Sequence, residues 1–187
     1  MSALVNDGRE GRSHLLLHVC CGPCATAVVE RLSPAYDLIL HWFNPNIQPA
    51  AEFARRLQAA QELADRLSLA LPVQTGGEDD FAELAQGLED EPEGGERCRK
   101  CYELRLRQAM LAAREQGIPL VATTLSISPH KSADAINEVG RRLAQGLGVG
   151  FLEADFKQEG GFQRSVELSR QYGLYRQKYC GCLFSRR

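Results

Sequence analysis

The sequence predicts an α/β fold: a Rossmann-like, mainly parallel sheet with helices on both faces. Short apolar runs that suit strands alternate with longer segments of helical periodicity. The chain has 187 residues, 44% hydrophobic and 25% charged, which is enough to bury one substantial core. Turn-forming or chemically reactive residues follow each predicted strand. Because parallel strands end at one edge of their sheet, we expect a metal site at this carboxyl edge.

The first half of the chain alternates strand and helix twice. Residues 15–19 form a short apolar strand, and residues 25–32 place apolar side chains on one helical face. Residues 36–43 are rich in strand-forming types and stop at a turn signal. Pro49 then opens a helix in its favoured first-turn position. An apolar stripe carries this helix to Leu67.

The second half repeats the alternation. Gly117 and Gly173 are predicted to end helices, and Ser132 is predicted to cap one. The predicted elements are, in order, a helix over 98–116, a strand over 119–123, a helix from 132 to about 143, a strand over 148–155 and a helix over 162–172.

The domain expectation is a single α/β domain over residues 1–187 with three peripheral segments. Residues 1–12 are expected to be flexible. Residues 76–97 form an acidic excursion with a short helix over 81–88, and they contain no Lys or Arg before Arg97. Residues 174–187 form a basic tail that carries cysteines. The net charge of −2 excludes a protein that is basic throughout.

The sequence favours a cytoplasmic protein without membrane contact. No stretch approaches the roughly 20 apolar residues of a membrane span, and the first 12 residues lack the apolar run of a secretory signal. A reducing compartment disfavours structural disulfides. The seven cysteines therefore indicate metal or redox chemistry.

The cysteines fall into three groups, and several thiol chemistries suit parts of the pattern. A zinc site takes four ligands and leaves three cysteines unused. A thioredoxin-like dithiol uses only Cys21 and Cys24. A cubane iron–sulfur cluster takes about four thiolates and leaves up to three for a second metal or for catalysis, so the count favours two adjacent metal functions. The groups are Cys20, Cys21 and Cys24; Cys98 and Cys101; Cys180 and Cys182.

Six motifs spread over residues 15–185 resemble the cobalamin-independent epoxyqueuosine reductases. They are Leu-Leu-His-Val-Cys-Cys-Gly-Pro-Cys at 16–24, Asn-Pro-Asn-Ile-x-Pro at 44–49, Arg-Cys-x-x-Cys-Tyr at 97–102, Thr-Leu-x-Ile-Ser-Pro at 124–129, Asp-Phe-Lys at 155–157 and Tyr-Arg-Gln-x-Tyr-Cys-Gly-Cys at 175–182. The chain departs from the family pattern at Gly22, where Ala is more frequent, and at His130, where an aromatic residue is. The glycine at position 22 is expected to be a harmless departure.

The resemblance implies a [4Fe-4S] cluster beside a mononuclear iron, and a reductase that completes queuosine biosynthesis. The substrate is then epoxyqueuosine in a tRNA anticodon, and an external low-potential electron donor is required. Within this picture four cysteines are assigned to the cluster and three to the second iron. The cluster ligands are Cys21, Cys98, Cys101 and Cys180; the iron ligands are Cys20, Cys24 and Cys182.

The same resemblance leads to candidate catalytic and binding residues. Asp155, Tyr102 and Lys131 are the catalytic candidates, and Asp155 is also a candidate oxygen ligand of the second iron. The basic tail offers cations for phosphates and aromatic rings for stacking on bases. The residues assigned to substrate or tRNA binding are Asn44, Asn46, His130, Lys131, Tyr175, Arg176 and Gln177.

Two other functions compete with the reductase. An ATP-dependent tRNA-modifying enzyme needs a Gly- and Ser-rich phosphate loop after the first strand, but cysteines and a proline stand there. A zinc-stabilised tRNA-binding module without redox activity uses the same cysteines. Colour separates it from the reductase, since an iron–sulfur protein is brown.

Overall fold

The computed structural model describes residues 11–185. It confirms the α/β fold, with a four-stranded parallel sheet in the order β2-β1-β3-β4. The predicted flexibility of residues 1–12 falls mainly on residues outside this described range. The strands are β1 (Ser13–His18), β2 (Tyr36–His41), β3 (Leu120–Thr123) and β4 (Gly150–Phe151).

Six α-helices and two short 3₁₀ turns complete the described part of the chain. Each predicted helix is present, with ends shifted by a few residues. The helices are α1 (Gly22–Leu32), α2 (Ala50–Leu67), α3 (Glu78–Ala85), α4 (Glu96–Glu115), α5 (Ala133–Leu147) and α6 (Gly161–Gln171). The turns are Thr124–Ile127 and Leu183–Ser185.

The helices cover both faces of the sheet. Successive side chains of a strand point to opposite faces, so Leu15 and Leu17 pack with residues of α1, α2 and α6. Leu16 and Val121 pack with residues of α4 and α5 on the other face. Because both faces are buried, β1 is apolar without the alternation of a half-exposed strand.

The last strand is shorter than predicted. Leu152 still donates its backbone N–H to the carbonyl of Val121 at 2.8 Å. Beyond it, Ala154 donates instead to Asn137 Oδ1 at 3.3 Å, and Phe156 donates to Ser126 Oγ at 3.4 Å. Side-chain oxygens therefore accept the backbone hydrogen bonds that a longer strand would donate to β3.

The start of α1 lies unusually close to α2. A Cβ added at Gly22 would collide with the backbone carbonyl of Ala59. Alanine, which the family carries more often at this position, would force the two helices of this chain to separate. Within the described residues, no helix is long and apolar enough to cross a bilayer.

His41 gives the fold a predictable pH dependence. Its ring is 3% exposed, and neither ring nitrogen has a hydrogen-bond partner among the described residues. Burial lowers its pKa to about 4, whereas a histidine in the unfolded chain titrates near 6.5. The unfolded state thus binds the extra proton between these pH values, so stability falls as the pH drops.

We expect the metal-free protein to lose about 3 kcal/mol of unfolding free energy between pH 7 and pH 4 through His41 alone. Urea unfolding at several pH values measures this loss. His41→Gln, which cannot titrate, should make the profile shallower, while the buried His18, whose pKa burial lowers to about 3, retains part of the acid sensitivity. An unchanged profile in the variant would show that other groups cause the acid sensitivity.

Candidate metal and substrate site

The first thiol group lies where β1 passes into α1. Cys21 is the N-cap of α1, and its Sγ accepts a hydrogen bond from the backbone N–H of Cys24 at 3.3 Å. The Sγ atoms of Cys20 and Cys21 are 3.9 Å apart, and those of Cys20, Cys21 and Cys24 all lie within 4.8 Å of one another. This thiol triad at the carboxyl edge of the sheet can hold a metal ion.

Charge in the triad concentrates on Cys20. Hydrogen bonding with the thiols of Cys21 and Cys24 lowers the pKa of Cys20 well below its ordinary value, and the cations of Arg105 and Lys131 lower it further. The hydroxyl of Thr124 also donates to Cys20 Sγ at 3.3 Å. Cys20 is therefore the thiolate of the group, and thiolates are the form that binds metals.

The second thiol group joins α4 to the tail. Cys98 and Cys101 stand three residues apart in the first turns of α4, so both lie on one helical face. Together with Cys180 and Cys182 they line one small cavity, which Tyr102 and Phe81 also border. Burial raises the pKa of Cys98 and raises that of Cys101 to about 12.

The acidic segment shields this second group. Phe81 of α3 is 2% exposed and packs with Cys101 and Cys182. The backbone N–H of Gly94 donates to Cys98 Sγ at 3.2 Å. Residues 76–97 therefore contact the cysteines directly, which their charge pattern alone did not indicate.

A buried guanidinium lies between the two thiol groups. Arg105 of α4 is 2% exposed, and its Nη2 donates to Asn44 Oδ1. No carboxylate of residues 11–185 forms an ion pair with it. Burial acts to lower the pKa of Arg105, but electrostatic interaction with Cys101, Cys20 and Cys180 raises it overall. Because the pKa of Cys101 is raised and that of Cys20 is lowered, the Cys20 thiolate supplies counter-charge to this buried arginine in the metal-free protein.

Arg56 of α2 anchors the cysteine-bearing tail. This side chain is 2% exposed and pairs with Glu52 through Nε and Oε1 at 2.7 Å. Its two terminal nitrogens donate to the carbonyls of Cys180 at 2.9 Å and Tyr179 at 3.1 Å. Glu52 also accepts a hydrogen bond from the hydroxyl of Tyr175 at 2.8 Å. The position of Cys180 is therefore set by a helix far away in sequence.

A larger cavity of about 310 Å³ opens beside the triad, a size that accommodates a small ligand. Cys20, Cys24 and Cys180 lie in its wall. Basic residues dominate the polar lining, and within the described range Glu93 is the acidic residue that borders it. The basic residues are Arg56, Arg105, His130, Lys131, Arg176 and Lys178. Such a cavity favours an anionic ligand.

Lys131 keeps its positive charge in this cavity. Burial alone would lower its pKa, but electrostatic interaction with the acidic groups of Cys180, Cys20, Tyr102 and Cys24 raises the pKa of Lys131 above its ordinary value. His130, Lys131, Arg176 and Gln177, all assigned to substrate binding from the sequence, line this cavity. Their roles stay predictions, but the structure brings them together.

The other sequence-derived candidates lie elsewhere. Tyr102 and Asn46 border the smaller cavity with the second thiol group, and Asn44 is held by Val19 and Arg105. Tyr175 binds Glu52. Asp155 pairs with Lys157 at 2.8 Å, which helps to lower the pKa of its carboxyl, and it is absent from the walls of both described cavities.

Sequence reasoning also divided the cysteines differently from their grouping in space. Cys21 lies with Cys20 and Cys24, whereas Cys182 lies with Cys98 and Cys101. Arg56 was not among the predicted site residues. Its one sequence signal was spacing. Arg56 lies three or four residues from Glu52, Ala59 and Ala60, so it falls on the same buried face of α2.

Thiols, cations and a ligand-sized cavity at the carboxyl edge of a parallel sheet define an α/β protein with a thiol-lined catalytic site. A sequence profile described as epoxyqueuosine reductase QueH matches residues 15–187. The chain belongs to this family of oxidoreductases, which reduce epoxyqueuosine in queuosine biosynthesis. The resemblance stated from the sequence is thereby confirmed.

Several relatives carry the name epoxyqueuosine reductase QueH. The Streptococcus pyogenes protein is 38% identical over 184 residues, which cover 93% of this chain and 71% of the relative. The Staphylococcus epidermidis protein is 35% identical, covering 95% and 78%. The Thermotoga maritima protein is 32% identical, covering 91% and 89%.

A solved structure shares the fold. It is described as a predicted subunit of tRNA methyltransferase from Methanocaldococcus jannaschii and superposes with a TM-score of 0.53 at 15% identity. The match covers 84% of this chain and 76% of that one. The likeness concerns the α/β architecture alone.

Proposed function

We propose that this protein is an iron–sulfur reductase that converts epoxyqueuosine in tRNA to queuosine. The epoxide loses its oxygen to leave an alkene, and the reaction consumes two electrons and two protons and releases water. The supporting observation is that two groups of thiols flank a buried arginine that has no carboxylate partner among the described residues. An anionic metal–thiolate centre satisfies that arginine.

The donor set fits a metal ion and a cluster side by side. In tetrahedral coordination at about 2.3 Å, two thiolate sulfurs lie about 3.8 Å apart, close to the 3.9 Å between Cys20 and Cys21. The second group offers four thiols around one cavity, the number that a [4Fe-4S] cluster requires. When bound, such centres supply single-electron transfer and a Lewis acid for the epoxide oxygen.

The protein's own residues would hold and polarise the substrate. Lys131 remains charged and can stabilise negative charge as it develops on the epoxide oxygen. Tyr102 is a candidate proton donor, because burial raises its pKa and keeps the phenol protonated at neutral pH. Asp155 would have to leave Lys157 to reach the cavity. Geometry thus favours Lys131 among the three catalytic candidates.

The basic cavity wall suits tRNA. His130, Arg176 and Lys178 carry or can carry positive charge near the opening, where a nucleotide phosphate could pair with them. Tyr175, 36% exposed, offers a ring on which an unpaired base can stack. Electrons would come from an external low-potential donor, since the reaction consumes two for each substrate.

The reaction itself is tested with anaerobically reconstituted protein. It is incubated with epoxyqueuosine-containing tRNA and a low-potential reductant, and the nucleosides are then analysed by mass spectrometry. We expect a product that has lost one oxygen atom. Brown protein that leaves the epoxide untouched under these conditions would refute the proposed reaction, and colourless zinc-loaded protein would refute the cofactor.

Cys98→Ala is expected to reduce iron and sulfide content by more than half. Cys98 is 7% exposed, lies within the second thiol group and accepts a hydrogen bond from Gly94, so no other thiol of α4 can take its place without moving the helix. Iron and acid-labile sulfide are counted after anaerobic reconstitution. Full retention of both would remove Cys98 from the ligand set.

The fourth cluster ligand distinguishes two arrangements. The division predicted from the sequence places Cys21 on the cluster, so Cys21→Ala should lose sulfide while Cys182→Ala should lose only the second iron. The opposite pattern would assign Cys182 to the cluster, as its place beside Cys98 and Cys101 favours. Electron paramagnetic resonance of the reduced variants separates the two results.

A further inference from the structure

Gln177 contacts the thiol triad from the tail. Its Nε2 lies 3.0 Å from Cys21 Sγ and 3.5 Å from Cys24 Sγ. In the metal-bound protein that the proposed function requires, the sulfurs of Cys21 and Cys24 are thiolates, which accept hydrogen bonds and do not donate them. The amide must therefore turn its NH₂ group toward the sulfurs, and this contact fixes the direction of its oxygen.

That oxygen has no partner. Gln177 Oε1 is buried, yet no described residue donates a hydrogen bond to it. A buried acceptor left unsatisfied costs roughly 1–3 kcal/mol and is uncommon in native proteins. If the amide were rotated by 180°, Oε1 would face electron-rich sulfur instead of a hydrogen-bond donor. The fold thus holds Gln177 Oε1 in a fixed position where no described residue donates to it.

The location of this acceptor points to the substrate. Gln177 lines the cavity of about 310 Å³ beside Cys20 and Cys24, where Lys131 also lies. The Arg and Lys side chains of this cavity wall are donors only, and Gln177 is the one side-chain amide among its described lining residues. A ligand group that carries an O–H or N–H is the complement of a bare amide oxygen.

We propose that Gln177 is a specificity-determining residue whose Oε1 accepts a hydrogen bond from an O–H or N–H group of the modified base. The inference rests on the proposed function. Its thiol contacts hold the amide in position, and its oxygen distinguishes the modified nucleoside from an unmodified one. A site that hydrogen-bonds a substrate group discriminates strongly against analogues that lack it, because its own polar atom is then left unpaired.

Binding of two tRNAs by the reconstituted protein tests this role. One carries epoxyqueuosine and the other is the unmodified transcript of the same sequence, and fluorescence anisotropy gives both affinities. Gln177→Leu should reduce the preference for the modified tRNA about tenfold, with affinity for the transcript unchanged within about twofold. Gln177→Glu, which retains an oxygen acceptor, should keep more of the preference than Gln177→Leu.

Gln145→Leu, on the exposed surface of α5, serves as the matched control and should bind like the parent. Preserved preference in Gln177→Leu would overturn the inference, as would equal loss in the Leu and Glu variants with iron retained. Loss of iron in both variants would make Gln177 a structural support of the metal site and would also overturn it. A parent protein that shows no preference but still removes the epoxide oxygen would overturn this inference alone, whereas a parent that leaves the epoxide untouched would refute the proposed function.

Discussion

Replacing Arg105 by methionine is expected to reduce the iron and sulfide content of reconstituted protein at least about tenfold. Removing one partner of a buried charge pair costs several kcal/mol, because the remaining charge is left uncompensated. In this protein the remaining charge would be that of the proposed metal–thiolate centre near Cys20, Cys101 and Cys180. Iron and sulfide counting on equally folded samples measures the loss.

The stability of the metal-free protein should respond differently. Without metal, Arg105 is a buried guanidinium whose partners are partly protonated thiols, so methionine removes an unfavourable charge even as Asn44 loses its hydrogen bond. We expect the two effects to offset each other within about 2 kcal/mol. Urea unfolding of metal-free samples thus separates a loading defect from misfolding.

Two further variants sharpen this prediction. Arg107→Met, two residues along the same helix, removes an exposed ion pair with Glu103 and should change neither loading nor stability appreciably. Arg105→Lys keeps the charge but not the planar fork of donors, so it should load to an intermediate level. Full loading of Arg105→Met would show that the centre does not need this cation.

The place of the site was predictable from the sequence, because it follows from topology. Residues 20–24 leave β1, residues 44–46 follow β2 and residues 124–130 follow β3, and parallel strands bring such loops to one edge. The loop after β4 was expected there too. Asp155 lies on this loop, but its carboxylate pairs with Lys157. The spacing of these two residues in the sequence does not predict the pair.

The grouping of the thiols was not predictable, because it depends on packing between distant segments. The sequence places Cys21 beside Cys20 and Cys24 but does not show which sulfurs share a site, whereas in the structure Cys21 caps α1 and its sulfur accepts a hydrogen bond from the backbone of Cys24. Similarly, Cys182 joins Cys101 because Phe81 packs against both. Periodicity describes the face of a helix but not which remote loop covers that face.

Buried arginines mark the same limit. Arg56 looks like an ordinary charged residue in an amphipathic helix, where a charge usually lies toward solvent. Its partners at Cys180 and Tyr179 are 124 and 123 residues away. Only the folded chain shows that the donors of Arg56 bind the tail carbonyls in place of water.

Arg56→Met is expected to destabilise the metal-free protein by about 3–5 kcal/mol, because it leaves Glu52, 7% exposed, as a buried carboxylate without its partner. It should also free the tail, since the carbonyls of Cys180 and Tyr179 lose their donors. Urea unfolding measures the first effect. The rate of tryptic cleavage after exposed Lys178 measures the second.

Arg55→Met is the matched control, because Arg55 is exposed and its cation–π contact at 5.9 Å with the Tyr175 ring is worth about 1 kcal/mol or less. A double variant, Glu52→Gln with Arg56→Met, removes both buried charges and should regain part of the stability. Its tail should remain open to trypsin, since no donor returns to the carbonyls. Slow cleavage in both Arg56 variants would mean that the tail is held by its remaining contacts, such as the hydrogen bond from Gln48 to Gly181, and that Arg56 acts on stability alone.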